Sequence, residues 1–160
     1  LVLFKPEQKD TAVLRLSRLT DYAVVVLARM GEEATALQSA PGLALRTGLP
    51  EPTVAKVLKT LAQAGVVEGL RGARGGYRLA KALPDIKLTE VIVAFDGPIA
   101  LTACVDGGSG LCESEHLCPV RGRWDPVNTA IRDALEKISV AELAGHAPAL
   151  DDADFRLAAE

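Results

Sequence analysis

The run Ser39-Ala-Pro-Gly-Leu-Ala-Leu-Arg-Thr-Gly-Leu-Pro-Glu-Pro-Thr-Val-Ala-Lys-Val-Leu-Lys-Thr-Leu-Ala-Gln-Ala-Gly65 decides the fold. It carries two helix signals separated by a break. Ser39 is a capping residue for a helix from about Ala40 to Arg46. Pro41 is tolerated in a first turn, while Gly42 costs roughly 1 kcal/mol there. Thr47-Gly48-Leu49-Pro50 makes a tight turn, and Pro52 suits the start of the next helix. In that helix Val54, Val57, Leu58 and Leu61 share one face, with Gly65 placed just past the end. Thr53, Lys56, Lys59 and Thr60 are left towards solvent. Two short helices joined by a glycine-containing turn are the helix-turn-helix pattern.

The residues after Gly65 extend the pattern. Val66–Leu70 and Tyr77–Ala80 read as strands around the tip Arg71-Gly72-Ala73-Arg74-Gly75-Gly76, a doubly basic hairpin. A helix-turn-helix with such a hairpin directly behind it is a winged helix. Ile86-Lys87-Leu88 is expected to pair back on it as a short strand. Upstream, Leu19, Tyr22, Ala23, Val26, Leu27 and Met30 form one helical stripe, capped by Ser17 or Thr20 and ended by Gly31. Asp21 lies in its first turn, off the stripe. Val13-Leu14-Arg15-Leu16 alternates weakly, as a short strand would.

Downstream, Thr89 is expected to cap a helix over Glu90–Phe95, and Asp96-Gly97-Pro98 stops it. Asp125-Pro126 opens a longer helix to about Ile138, with Asp125 as its cap. Its apolar residues Trp124, Val127, Ile131, Ala134 and Ile138 fall at heptad spacing, widened by Ala130 and Leu135. Such a stripe is most often core. Here the winged helix already accounts for its own core, so pairing with a second copy is the expectation. Ser139-Val-Ala-Glu142 is a capping box for a last short helix. The fold class read from the chain is mainly α with a small β-wing. It divides into an extension or tag over 1–12 and a winged helix-turn-helix over 13–82. A connecting helix with a cysteine loop covers 83–123, dimerisation and terminal helices cover 124–146, and an acidic tail covers 147–160.

Net charge over the 160 residues is −3, which alone argues against a nucleic-acid binder. The distribution argues for one. Lys56, Lys59, Arg71, Arg74, Arg78 and Lys81 crowd residues 51–81, against Glu51 and Glu68. Local charge is what a phosphate backbone responds to. The helix from Pro52 to Ala64 would enter the major groove with Thr53 and Lys56, and Arg71 and Arg74 would reach phosphates or a narrow minor groove. Lys59, Tyr77 and Arg78 complete the expected DNA face, and the bland alternative is a solvated charged surface. No apolar run approaches the roughly 18 residues of a membrane span. The expectation is a cytoplasmic protein with reduced thiols. Neither a nucleophile–base constellation nor a phosphate-binding glycine motif points to an enzyme.

All three cysteines fall in one glycine-rich loop, spaced Cys104-x7-Cys112-x5-Cys118. Zinc knuckles place ligand pairs two to four residues apart. Wider gaps with Gly107, Gly108 and Gly110 suit a bulkier iron–sulfur cluster, for which thiolates are the usual ligands. A thiol redox sensor, a zinc site and ordinary loop cysteines are the rival readings. Three thiols are one ligand short of four. His116, Asp106, Glu113, Glu115 and, more remotely, His146 are candidates for the fourth, each with a plain reading as a solvated side chain.

Several of these stretches together resemble a known family. They are Leu14-Arg-Leu-Ser-Arg-Leu-Thr-Asp-Tyr22, Thr47-Gly-Leu-Pro-Glu-Pro-Thr-Val54, Leu58-x-x-Leu61-x-x-Ala64-Gly65, Arg71-Gly-Ala-Arg-Gly-Gly-Tyr-Arg-Leu79 and the cysteine triad. Over about residues 14–146 the chain resembles the Rrf-two family of bacterial winged-helix regulators, which has IscR-like and NsrR-like branches. Gly97–Cys104, Cys118-Pro-Val-Arg-Gly-x-Trp124 and Ile138–Leu143 look most like the branch regulating the SUF cluster-assembly system.

The resemblance implies a homodimer on double-stranded operator DNA, with one cluster per subunit held by Cys104, Cys112 and Cys118. It implies a repressor of cluster-assembly genes, or alternatively a nitric-oxide or redox sensor of the same family. The IscR-like branch has a histidine three residues after the last cysteine, where this chain has Arg121. The NsrR-like branch completes the site with an aspartate before a tyrosine in the partner's first helix, and Asp21 matches it. The first cysteine gap is seven residues where family members often have five. A [2Fe-2S] cluster is the first expectation and a [4Fe-4S] cluster the second.

Overall fold

A computed structural model describes residues 15–110, 112 and 115–145. Helix α1 (Arg18–Gly31) starts where Ser17 Oγ accepts the Thr20 N–H at 3.2 Å. Of the two expected caps, Ser17 is therefore the one used. Ala23, Val26, Leu27 and Met30 are fully buried, with Leu19 and Tyr22 packed against the same core. Helix α2 (Ala40–Thr47) begins with Ser39 Oγ accepting from Gly42 N and ends at Gly48, whose φ of 71° favours glycine. Helix α3 (Glu51–Gln63) buries Val54, Val57, Leu58 and Leu61. Each such side chain contributes about 1.5–3 kcal/mol on leaving water. These residues fix α3 by its inner face and leave its outer face free.

The wing is a two-stranded antiparallel ribbon, β1 (Val67–Leu70) and β2 (Gly76–Leu79), pairing Val67 with Leu79 and Leu70 with Gly76. The extra pairing partner is not the expected Ile86-Lys87-Leu88. Gln38, just before α2, bridges Tyr77 through two 2.8 Å backbone hydrogen bonds. That approach demands a glycine next door, because a Cβ on Gly76 would stand 2.9 Å from Gln38 O. Lys87 instead bridges Ser139, with Leu88 N–H on Ile138 O and Val140 N–H on Ile86 O, both at 2.9 Å. Burial decides this: Ile86, Val140 and Ala141 belong to the core under α1 and so must run side by side.

Helix α4 (Leu88–Asp96) begins two residues earlier than a Thr89 cap would allow, with Lys87 at the cap position. The Lys87 N–H is taken by Glu90 Oε1 at 3.0 Å, while the Thr89 hydroxyl turns outward to Glu136. Helix α5 (Asp125–Glu136) has Trp124, not Asp125, at its cap position. It stops short of Ile138, whose carbonyl is committed to Leu88. Helix α6 (Val140–Leu143) carries the expected capping box, Ser139 with Glu142. Its strong hydrogen bonds from Ser139 hold the Glu142 carboxyl below the usual range. The architecture is mainly α with a small β-wing, as expected. Within the chain α5 rests on α4, and Asn128 is its one buried residue. Trp124 and Val127 stay 41% and 44% exposed, so the described residues leave this end of the heptad stripe only partly covered. Of the expected strand Val13-Leu14-Arg15-Leu16, Arg15 and Leu16 are not in a strand, while Val13 and Leu14, the 1–12 extension, His146 and the 147–160 tail lie outside the described residues, as do Glu113 and the side chain of Glu115.

Candidate nucleic-acid interface and cysteine loop

Helix α3 and the wing converge on one side of the molecule. Lys56 and Lys59 are exposed on α3, Thr53 is half-buried in its first turn, and Arg71 and Arg74 are exposed at the hairpin tip. A groove of about 480 Å³ between them is lined by Lys59, Gln63, Leu70, Arg71 and Tyr77. The structure thus brings Lys59, Arg71 and Tyr77 together. Arg78 it places elsewhere. Alternation along β2 turns Arg78 to the other face of the ribbon, where its guanidinium meets the Glu68 carboxylate at 2.8 and 2.9 Å. At the tip, a Cβ on Gly75 would come within 2.3 Å of Leu70 O, so the turn that presents the two arginines needs glycine there.

One buried residue sets the wing against the helices. The Gln38 amide donates to Met30 O and Glu33 O, and its Oε1 accepts from Arg46 at 2.7 Å. Arg46 also reaches Arg29 O and the Glu32 carboxylate, which Arg46 and Arg29 hold below its ordinary pKa. The end of α1, the start of α2 and the base of the wing are therefore one hydrogen-bonded unit. Sequence reading passed over Gln38, since nothing in a lone glutamine before a cap signals burial.

The cysteine loop leaves α4 at Asp96. There the carboxylate accepts from Thr20 Oγ1 at 2.6 Å and from Ser17 N at 3.1 Å, tying the end of α4 to the first turn of α1. Gly97 turns the chain with φ 83°, and residues 99–101 cross α5. Asn128 grips that crossing: its Oδ1 accepts from Leu101 N at 3.0 Å and its Nδ2 donates to Ile99 O at 3.1 Å. Cys104 comes next, half-buried, with Thr102 Oγ1 3.4 Å from its sulfur. Tight turns fold around it, since a Cβ on Gly108 would lie 2.5 Å from Thr102 O. Cys112 and Cys118 are also half-buried free thiols. Between them a 3-10 turn (Glu115–Leu117) leaves His116 exposed. Asp106 pairs with Arg132 of α5 at 3.5 Å, and Asp21 stands exposed one residue after Thr20.

Three free thiols of one loop are the right donor chemistry for an iron–sulfur centre. Among the described residues, however, no three His, Cys, Asp or Glu side chains stand together in a metal-binding arrangement. The loop supplies the donors without gathering them. Asn128 and Asp96 are the residues that sequence reading missed as parts of the site. An asparagine inside a helix is a weak helix former, and that was the one signal available for Asn128.

A helix-turn-helix buttressed by a basic wing defines a DNA-binding regulator of the winged-helix class. The family model for Rrf2, an iron-dependent transcriptional regulator, matches residues 16–146, and the chain belongs to that family. It is 32% identical over 98 residues to the HTH-type transcriptional regulator IscR of Vibrio campbellii, covering 61% of this chain and 57% of that one. It is 27% identical to NsrR of Bacillus subtilis, covering 81% and 90%. Among solved structures, CymR, the global cysteine regulator of B. subtilis, superposes with a TM-score of 0.64 at 24% identity, covering 84% of this chain and 98% of that one. The family is one of transcriptional regulators rather than enzymes. No helix among the described residues is long and apolar enough to cross a membrane.

Proposed function

We propose that this chain is an iron–sulfur-sensing repressor of cluster-assembly genes, binding operator DNA as a homodimer. The observation that carries the reading is the position of its thiols. Three free cysteines sit on a loop whose entry is bonded on one side to α1 and on the other to α5. Cys104, Cys112 and Cys118 are the proposed ligands, with Asp21 of a second copy as the fourth. A [2Fe-2S] centre is preferred to a [4Fe-4S] one. When bound, such a cluster ties the thiols together in a way that depends on iron supply and oxidation. A coupling of 1–3 kcal/mol between the loop and the DNA face is enough for a 5- to 150-fold change in operator affinity.

On the DNA side, Thr53, Lys56 and Lys59 of α3 take the major groove, and Arg71, Arg74 and Tyr77 of the wing take the flanking backbone. Arg78 has a lesser part, because Glu68 already neutralises it. The exposed stripe of α5 is the proposed dimer face, which sets two recognition helices against a palindromic operator.

Anaerobic purification with iron and sulfide quantified tests the cluster. Wild type is expected coloured and iron-loaded, and Cys112→Ala depleted. A colourless, iron-free wild type under those conditions overturns the reading. A second reading, nitric-oxide or thiol-oxidation sensing by the same site, is favoured by Asp21 in the first turn of α1, where the NsrR-like branch carries its aspartate. It is separated by asking whether nitric oxide, rather than iron starvation, releases the operator.

A further inference from the structure

Among the described residues, helix α5 is held mainly by α4 and by polar contacts. Trp124 and Val127 of its apolar stripe are exposed, and the residue it buries is polar. A buried amide has to satisfy its donors and its acceptor. Asn128 spends both ends of its amide on the backbone of Ile99 and Leu101, three residues before Cys104. Those contacts are specific in a way packing is not: one carbonyl and one N–H, two residues apart, are read by one amide plane. A slide of the 99–101 strap by one residue would break both bonds. The strap is also closed at its other end by Asp96. Beyond it, Val105 is buried and the Thr102 hydroxyl touches the Cys104 sulfur.

We infer that Asn128 is the positioning residue of the cysteine loop: it fixes the register of residues 99–101 on α5 and thereby the place of Cys104. The role of Cys104 as a ligand rests on the proposed function, whereas the clasp stands on the contacts alone. Through Asn128, any displacement of the loop entry is transmitted to α5.

The test uses the full chain, reduced and metal-free, so that it does not depend on a cluster. Amide exchange monitored by NMR is expected to show Leu101 at least tenfold slower than Ala100 and Thr102. Equal rates for the three in the wild type would remove the clasp. Alkylation by iodoacetamide, read by mass spectrometry, then compares the three thiols in the wild type and Asn128→Ala. Cys104 is expected to react at least fivefold faster in the variant, with Cys118 unchanged. General loosening would instead speed all three thiols together, and that result, or an unchanged Cys104, overturns the positioning role. If Asn128→Ala does not fold, Asn128→Asp retains the oxygen that accepts from Leu101 N, loses the donor to Ile99 O, and is judged by the same ratio. Absence of iron from the anaerobically purified wild type would sink the cluster reading and leave these outcomes standing.

Discussion

The Thr20 hydroxyl donates to the Asp96 carboxylate across 2.6 Å, joining the first turn of α1 to the last residue of α4. The same oxygen accepts the Ser17 N–H, so one carboxylate closes both the start of α1 and the entry of the cysteine loop. Burial works to raise the pKa of Asp96, but the hydrogen bonds from Thr20 and Ser17 outweigh it and hold the carboxyl below the usual range. A depressed folded-state value means stability that is present above the unfolded value, ~3.9, and lost as pH falls through the folded one. Asp96→Asn should therefore cost about 1 kcal/mol near neutral pH. The difference from wild type should shrink below about pH 4. Denaturant melts across pH 2–7 measure this, and a difference that does not change with pH would contradict it.

The wing prediction concerns charge. Replacing Arg71 and Arg74 by glutamate should remove two phosphate contacts. The salt dependence of operator binding should then flatten by about 2 in the log–log slope, roughly 0.9 per lost contact. Affinity at low salt should fall more than tenfold, with the melting temperature nearly unchanged because both side chains are exposed. Arg78→Ala should cost much less. If operator binding survives the double change at moderate salt, the wing is misassigned.

Reading the chain by period and caps recovered what local chemistry determines. The α1 stripe, the Ser39 cap, the inner face of α3, the hairpin and the Ser139–Glu142 box all depend on residues within a turn or two of each other. What escaped depends on partners far along the chain. Lys87 could have paired with the wing by sequence, and only the shared core under α1 sends it to Ser139. Asp96 looked like a stop signal, and nothing near it announces Thr20, 76 positions away. The candidate site divides the same way. Its thiols are plain in the sequence, while the Asn128 clasp that holds their loop depends on how α5 crosses the strap.

The α5 face gives a prediction about assembly. Val127 is 44% exposed in the single chain, so a charge there costs the monomer little. In a dimer whose seam is this stripe, Val127→Asp buries an unpaired charge. Sedimentation should show the variant as a folded monomer at concentrations where wild type is dimeric. Its affinity for a palindromic operator should drop at least tenfold, since each half-site is then bound alone. A variant that stays dimeric would place the seam elsewhere.

Asp21 allows a sharper test, because a ligand given across a dimer can be complemented. Asp21 is exposed in the first turn of α1, and its neighbour Thr20 is bonded to the residue that opens the cysteine loop. Asp21→Ala and Cys104→Ala alone should each lose most of their iron. In a mixed dimer of the two variants, a ligand set drawn across the seam leaves one site whole: thiols from the Asp21→Ala chain and the aspartate from the Cys104→Ala chain. The other site lacks both. Co-expression with two affinity tags isolates the mixed dimer, and iron content near half of wild type is the expected result. A ligand set confined to one chain leaves no whole site, so the mixed dimer would then carry no more iron than either variant. Full iron in Asp21→Ala alone would remove the aspartate from the ligand set and leave the three thiols to find their fourth partner within the loop.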